Sequence, residues 1–220
     1  MTDKAAKPPK APRPYILHFA PTPNGKKITV FFEEAQIAYK LKTLDLSAGD
    51  QKKPAFTKLN PNQKMPVLVD PNGPGGESFS IFESGAILLY LGRKHGAFYP
   101  LTEAARSRVE QWLMFQMASV GPMSGQAYHF EKLSKDEPAR AAYGRDRYGA
   151  EVRRLYRVMD AHLGHSDWFG DQISIADFAI YPWIFPKLVG EVWEECENLK
   201  AWHAKMGERP GVQRGMAAGK

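Results

Sequence analysis

The chain has 220 residues, 43% of them hydrophobic and 25% charged. That globular balance excludes disorder over most of the length and allows one large domain or two modest ones. Lys and Arg outnumber Asp and Glu by 30 to 24, a formal net charge of +6, but Lys4, Lys7, Lys10 and Arg13 crowd a proline-rich opening, so the remainder is nearly balanced and offers no basic stripe for nucleic acid.

In chain order, residues 1–14 carry too little apolar surface to fold and are expected to form a flexible basic tail. Met1-Thr2-Asp3-Lys4 leads into no apolar h-region, so no secretory signal is expected. Tyr15-Ile16-Leu17-His18-Phe19 reads as a strand, stopped by the turn residues Pro21-Thr22-Pro23-Asn24-Gly25. Ile28, Phe31, Phe32 and Ala35 then fall at helical spacing. Strands are expected over 39–46, 66–69 and 78–82, with a short helix between the first two and a Pro- and Gly-rich hairpin loop over 70–76. A second strong helix is expected over 84–94, with Ile87, Leu88 and Leu91 on one side.

From Thr102 onward only helical periods occur. Val109, Leu113, Gln116, Met117 and Val120 mark one long helix, ending near Gly121-Pro122. Tyr148, Val152, Leu155, Met159 and Leu163 mark another, and Leu199, Trp202 and Met206 a last one. Ser174-Ile175-Ala176-Asp177 has the spacing of a helix N-terminal capping box, which makes Asp177 a structural residue. The order predicts an α/β domain over 15–95, a linker over 96–101 and an all-helical domain over 102–220. The longest apolar run, Ala86 to Leu91, falls far short of the roughly 20 residues of a membrane span. A single cysteine, Cys196, excludes an internal disulfide framework, a CxxC pair and a cysteine-cluster metal site, and points to a reducing compartment, the cytoplasm. With Glu194, Glu195 and Glu197 around it, its thiol is expected to be unreactive.

Three junctions carry candidate chemistry. At the first strand-to-helix turn, the helix N-terminus with Thr22 and Asn24 gathers donors that favour a thiolate placed there; the same residues also suit plain helix capping. Asn60-Pro61-Asn62-Gln63-Lys64-Met65-Pro66 opens a strand. A cis Pro66 would expose the backbone of Met65 to an extended peptide; a trans proline is an ordinary strand start. Glu83-Ser84-Gly85 at the third junction pairs a carboxylate with a serine at a helix N-terminus, a match for an α-amino acid head group, or a simple serine cap.

These motifs resemble the cytosolic glutathione transferases, most closely the bacterial nu class and a related yeast prion-type nitrogen regulator. The resemblance rests on Ala20-Pro21-Thr22-Pro23-Asn24-Gly25-Lys26-Lys27-Ile28, Asn60-Pro61-Asn62, Lys64-Met65-Pro66-Val67-Leu68-Val69, Phe82-Glu83-Ser84-Gly85-Ala86-Ile87 and Gly121-Pro122-Met123, and spans about Tyr15 to Pro210. It implies a thioredoxin-like N-terminal domain, an all-helical C-terminal domain and a homodimer. Glutathione is the implied substrate, with no metal. The resemblance assigns Glu83 and Ser84 to the γ-glutamyl end, Met65 before Pro66 to the cysteinyl unit, Gln51 and Lys64 to the glycyl end, and Thr22 and Asn24 to the thiolate. Arg147 is expected to meet a glutathione carboxylate, and Gln126, Tyr128 and His129 to line the electrophile pocket.

The turn lacks the tyrosine, serine or cysteine that other classes place at the thiol. The nu class is similar in this respect and is associated with disulfide reduction by two glutathiones bound in one site. The leading expectation is therefore a glutathione-dependent disulfide oxidoreductase, acting on small-molecule disulfides or electrophiles. The alternatives are conventional glutathione conjugation, peroxide reduction, or a non-catalytic binding protein of the same fold.

Overall fold

The computed structural model describes residues 13–219; of the tail expected over 1–14, residues 1–12 lie outside the described residues. The first half builds β1 (Tyr15–Phe19), α1 (Pro23–Glu34), β2 (Tyr39–Thr43), α2 (Pro54–Thr57), β3 (Val67–Asp70), β4 (Phe79–Phe82) and α3 (Ser84–His95). The strands form one sheet in the order β2-β1-β3-β4. β1 and β2 are parallel, with Tyr15 opposite Tyr39, because α1 carries the chain back across the sheet between them. β3 runs antiparallel to both β1 and β4. This is the expected thioredoxin-like half. Arg13 is tied to it: its guanidinium donates to the Pro71 carbonyl at 2.5 Å, and its own carbonyl accepts from Asn72 at 3.2 Å.

β2 stops at Thr43 rather than running to Leu46. Asp45 accepts from the N–H groups of Ser47 and Ala48 at 2.8 and 3.1 Å, and its own N–H donates to Asp50 at 2.9 Å. That local turn takes the backbone groups a longer strand would have used.

Leu17 and Phe19 of β1 meet Ile28, Phe31 and Phe32 of α1 and Ile87, Leu88 and Leu91 of α3, all fully buried in one core. Each such side chain is worth about 1.5–3 kcal/mol on leaving water. A smaller cluster, Leu44, Phe56 and Val67, lies under α2.

The second half is helical: α4 (Glu103–Phe115), a π-helical turn (Gln116–Val120), α5 (Gly121–Leu133), α6 (Pro138–Leu163), α7 (Ile175–Ile180), a 3-10 turn (Tyr181–Trp183), α8 (Pro186–Val189), α9 (Val192–Glu195), α10 (Glu197–Gly207) and α11 (Pro210–Ala217). Gly121-Pro122 does not end the chain's helical course. Pro122 occupies the first turn of α5, where its missing N–H has no helical partner to lose, and the widened turn before it absorbs the irregularity. The capping box is as expected, with Ser174 and Asp177 bonding each other's backbone across the first turn of α7.

The helix α11 was not expected. It lies on α1, where Thr29 donates to the Gly215 carbonyl at 2.7 Å, Arg209 donates to Glu34 at 3.0 Å and Arg214 to Glu33 at 2.8 Å. Gly215 allows this approach, since a Cβ there would stand 2.5 Å from the Val30 Cα. Among the described residues no helix is long and apolar enough to cross a membrane.

Candidate functional site

The turn from β1 into α1 is set by close packing. A Cβ on Gly25 would lie 2.5 Å from the Ala20 carbonyl oxygen, so only glycine lets α1 start so near the end of β1. Thr22 is the N-cap: its Oγ1 accepts from the Gly25 N–H at 3.4 Å. Capping uses a lone pair and leaves the hydroxyl proton available. Asn24, in the first turn, accepts at Oδ1 from the indole N–H of Trp183 at 3.0 Å. With its oxygen engaged, the Asn24 amide has its NH2 left to donate to a ligand atom. Trp183 comes from the helical half.

The Met65–Pro66 peptide is cis. Asn60, almost fully buried, shapes the loop leading into it: its amide donates to the Lys64 carbonyl at 2.7 Å and accepts from the Asn62 N–H at 2.9 Å. Lys64 is exposed and Met65 half-buried. Gln51 lies in the 3-10 turn Asp50–Lys52, with its buried Oε1 unpartnered.

At the head of α3, Glu83 has φ 69° and ψ 118°, a backbone conformation strained for any residue with a side chain. Ser84 opens the helix but does not cap it. Its Oγ accepts from the buried ammonium of Lys27 at 3.2 Å. The same ammonium donates to Gln116 Oε1 and lies 3.4 Å from Met117 Sδ. Burial pushes the Lys27 amine down to about 7, opposed only in part by the Glu83 carboxylate.

Of these groups, Asn24, Lys27 and Glu83 line a cleft of about 330 Å³ between the two halves, together with Gln116, Gln126 and Trp183 among others, whereas Thr22, Gln51, Lys64, Met65, Pro66 and Ser84 are not part of its lining. Gln126 is the expected pocket residue that the fold brings to it. Tyr128 and His129, also on α5, are exposed and do not line it, and neither does Arg147, exposed on α6. Lys27, Gln116 and Trp183 carry no site role in the sequence reading. The available signal for Lys27 was its spacing: three residues after Asn24, beside Ile28, a lysine on the face that the core claims.

Cys196 is buried, with its thiol pushed up by burial first and by Asp160 next; the direction is the expected one, but of the three glutamates that suggested it only Glu195 contributes. Asp177 is fully buried away from the cleft, accepting from the N–H groups of Phe169 and Ser174 at 3.2 and 2.9 Å and from the Trp202 indole at 2.9 Å. No group of three His, Cys, Asp or Glu side chains arranged to hold a metal occurs among the described residues.

Residues 14–93 match the family model for the glutathione S-transferase N-terminal domain, and residues 142–205 the model for its C-terminal domain. The chain is 41% identical over 205 residues to the disulfide-bond oxidoreductase YfcG of Escherichia coli, covering 89% of this chain and 91% of that one. A solved glutathione transferase from Pseudomonas putida, with one glutathione disulfide bound per subunit, is similar at 39% identity and TM-score 0.88, over 97% of this chain and 95% of that one. Another, from Burkholderia graminis with two glutathione molecules per subunit, is similar at 40% identity and TM-score 0.87, over 97% and 91%.

Proposed function

Since the chain belongs to the glutathione S-transferase family, we propose that it is a glutathione-dependent disulfide oxidoreductase that binds two glutathiones, or one glutathione disulfide, in the cleft beside Asn24. The observation that carries this reading is the polarity of that cleft. A conventional conjugating enzyme needs an apolar wall for its electrophile. Here half of the lining residues are polar or charged, Asn24, Lys27, Glu83, Gln116 and Gln126, beside Met117, Pro122, Trp183 and two glycines, a mixed lining that supports a second tripeptide over a purely apolar electrophile. The printed name of YfcG and the ligands of the two solved relatives support the same choice.

In the proposed reaction, one glutathione thiolate, held by the Asn24 amide and the Thr22 hydroxyl, attacks a disulfide sulfur. A glutathione–substrate mixed disulfide forms, and the other half leaves as thiolate. The second glutathione thiolate attacks the mixed disulfide at its glutathionyl sulfur, which releases the remaining substrate thiolate and yields glutathione disulfide. No protein thiol takes part. Glu83 and Ser84 hold the γ-glutamyl end and the Met65 backbone before Pro66 holds the cysteinyl unit. Gln51 and Lys64 serve the glycyl end and Gln126 the substrate side; Arg147, Tyr128 and His129, outside the cleft lining, are given no contact in this reaction.

Family membership also supports a homodimer, for which the exposed Phe79, Phe82 and Met114 offer apolar surface. A reducing glutathione pool suits a cytoplasmic setting.

The test is glutathione-dependent reduction of a small disulfide, coupled to NADPH through glutathione reductase, with chlorodinitrobenzene conjugation beside it. The expected result is strong reduction, weak conjugation and a loss of ten-fold or more in reduction for Asn24→Ala. Strong conjugation with negligible reduction would move the protein to the conventional transferases. Silence in both assays with glutathione still bound would make it a binding protein.

A further inference from the structure

The cleft holds a lysine that makes no ion pair. Lys27 is 1% exposed, and its three contacts, Ser84 Oγ, Gln116 Oε1 and Met117 Sδ, are all neutral acceptors. Among the described residues no carboxylate lies within ion-pair distance of it. Glu83, at the head of α3, is the charged group that faces it. The side chains meeting it from the π-helical turn, Gln116 and Met117, are uncharged, as is Trp183, which lines the same cleft. On the other helices packed against α1, Asp177 of α7 turns to Phe169 and Trp202, and Arg209 and Arg214 of α11 pair with Glu34 and Glu33. The far end of α3 carries Arg93, Lys94 and His95, engaged with Glu110, Asp70 and Tyr15.

Ser84 shows what such an arrangement does. Its lone pair is taken by Lys27, so its hydroxyl proton must point elsewhere, and the acceptor it finds is the Met117 thioether at 3.6 Å, a weak one. The Nε2 of Gln116, buried in the same cleft, has no partner. A cation, a hydroxyl proton and an amide N–H are thus gathered, and the one carboxylate lining the same cleft, Glu83, lies outside ion-pair distance of the amine.

We propose that Lys27 is the positioning residue of the Glu83–Ser84 site: from beneath Ser84 it fixes that hydroxyl as a donor and supplies the charge that answers an incoming carboxylate. This rests on the reading of that junction as the place where the γ-glutamyl head group binds. With burial holding the amine near 7, most Lys27 side chains are neutral at pH 8. A bound carboxylate favours the ammonium, so binding there is accompanied by proton uptake, and by linkage affinity falls as pH rises past 7.

The experiment is calorimetry of the full chain with S-methylglutathione, which has no thiol to titrate, in two buffers of different ionisation enthalpy at pH 6 and pH 8. The wild type is expected to take up about half a proton or more per ligand at pH 8 and close to none at pH 6, with affinity several-fold weaker at pH 8. Lys27→Arg, which keeps a charge that cannot titrate, is expected to bind with no uptake at either pH, its folding checked by thermal unfolding. The ligand's amino group is common to both proteins, so the difference isolates Lys27. Wild-type binding with the same proton count at both pH values would overturn the role of Lys27 while leaving the glutathione site intact, and needs no variant to decide. Failure of the wild type to bind would overturn the glutathione reading and this one with it.

Discussion

Replacing Asp177 with alanine removes the acceptor for three buried N–H donors at once, the backbone groups of Phe169 and Ser174 and the indole of Trp202. Each orphaned donor costs about 1–3 kcal/mol. Part of that is offset because the carboxylate is itself unwelcome where it is: burial pushes it up to about 6 against the pull of its four hydrogen bonds. A net loss of about 3–5 kcal/mol follows, or roughly 10 °C in Tm for a chain of this length. The pH dependence has a definite sign. The folded carboxyl titrates above its unfolded value of 3.8, so between about 4 and 6 the native state holds more protons than the unfolded one, and this group's contribution to stability grows as pH falls through that window. The deficit of Asp177→Ala is therefore larger at pH 5 than at pH 7, by about 1 kcal/mol. Denaturant unfolding at the two pH values measures it, and calorimetry with glutathione on the folded variant is expected to give wild-type affinity. A deficit below about 1 kcal/mol, or weakened glutathione binding without loss of stability, would refute the structural assignment.

Three further outcomes are expected. Gly215→Val drives a side chain into the Val30 backbone, an overpacking that lowers stability by about 1–3 kcal/mol, seen as an earlier midpoint in denaturant. Cys196 should resist thiol reagents until the chain unfolds, and Cys196→Ala should retain glutathione-dependent reduction; a large loss in a protein of unchanged stability would mean that a protein thiol does take part.

What the sequence made legible was local. Thr22, Asn24, Glu83 and Ser84 stand at strand-to-helix junctions, where a few neighbouring residues define both the turn and the donors it presents. The capping box at Ser174 is legible for the same reason. The residues that went unseen act across distance in the chain. Lys27 meets Ser84 at a separation of 57 residues and Gln116 at 89, and Trp183 meets Asn24 at 159. No periodicity encodes such pairings, and while the spacing of Lys27 put it on the core-facing side of its helix, nothing local told which partners it would meet there. The helix α11 was hidden by the residues that make it work: Pro210, Gly211 and Gly215 read as breakers, yet proline suits a first helical turn and Gly215 is what lets α11 lie against Val30. Ser84 shows the opposite case: two local readings were open, and the bond it makes instead of a cap, from the Lys27 ammonium, was visible in neither.

The clasp of α11 on α1 also orders events during synthesis. The helix that carries Asn24 and Lys27 is among the first parts of this sequence to be made, and the Gly215 carbonyl that Thr29 bonds comes 186 residues later. Until residues 209–217 are available, Glu33 and Glu34 lack their arginines and the face around Val30 lies open to water. A thioredoxin-like half emerging alone therefore presents a finished sheet and an unfinished first helix, and the cleft that both halves share is among the last features of the molecule to be completed.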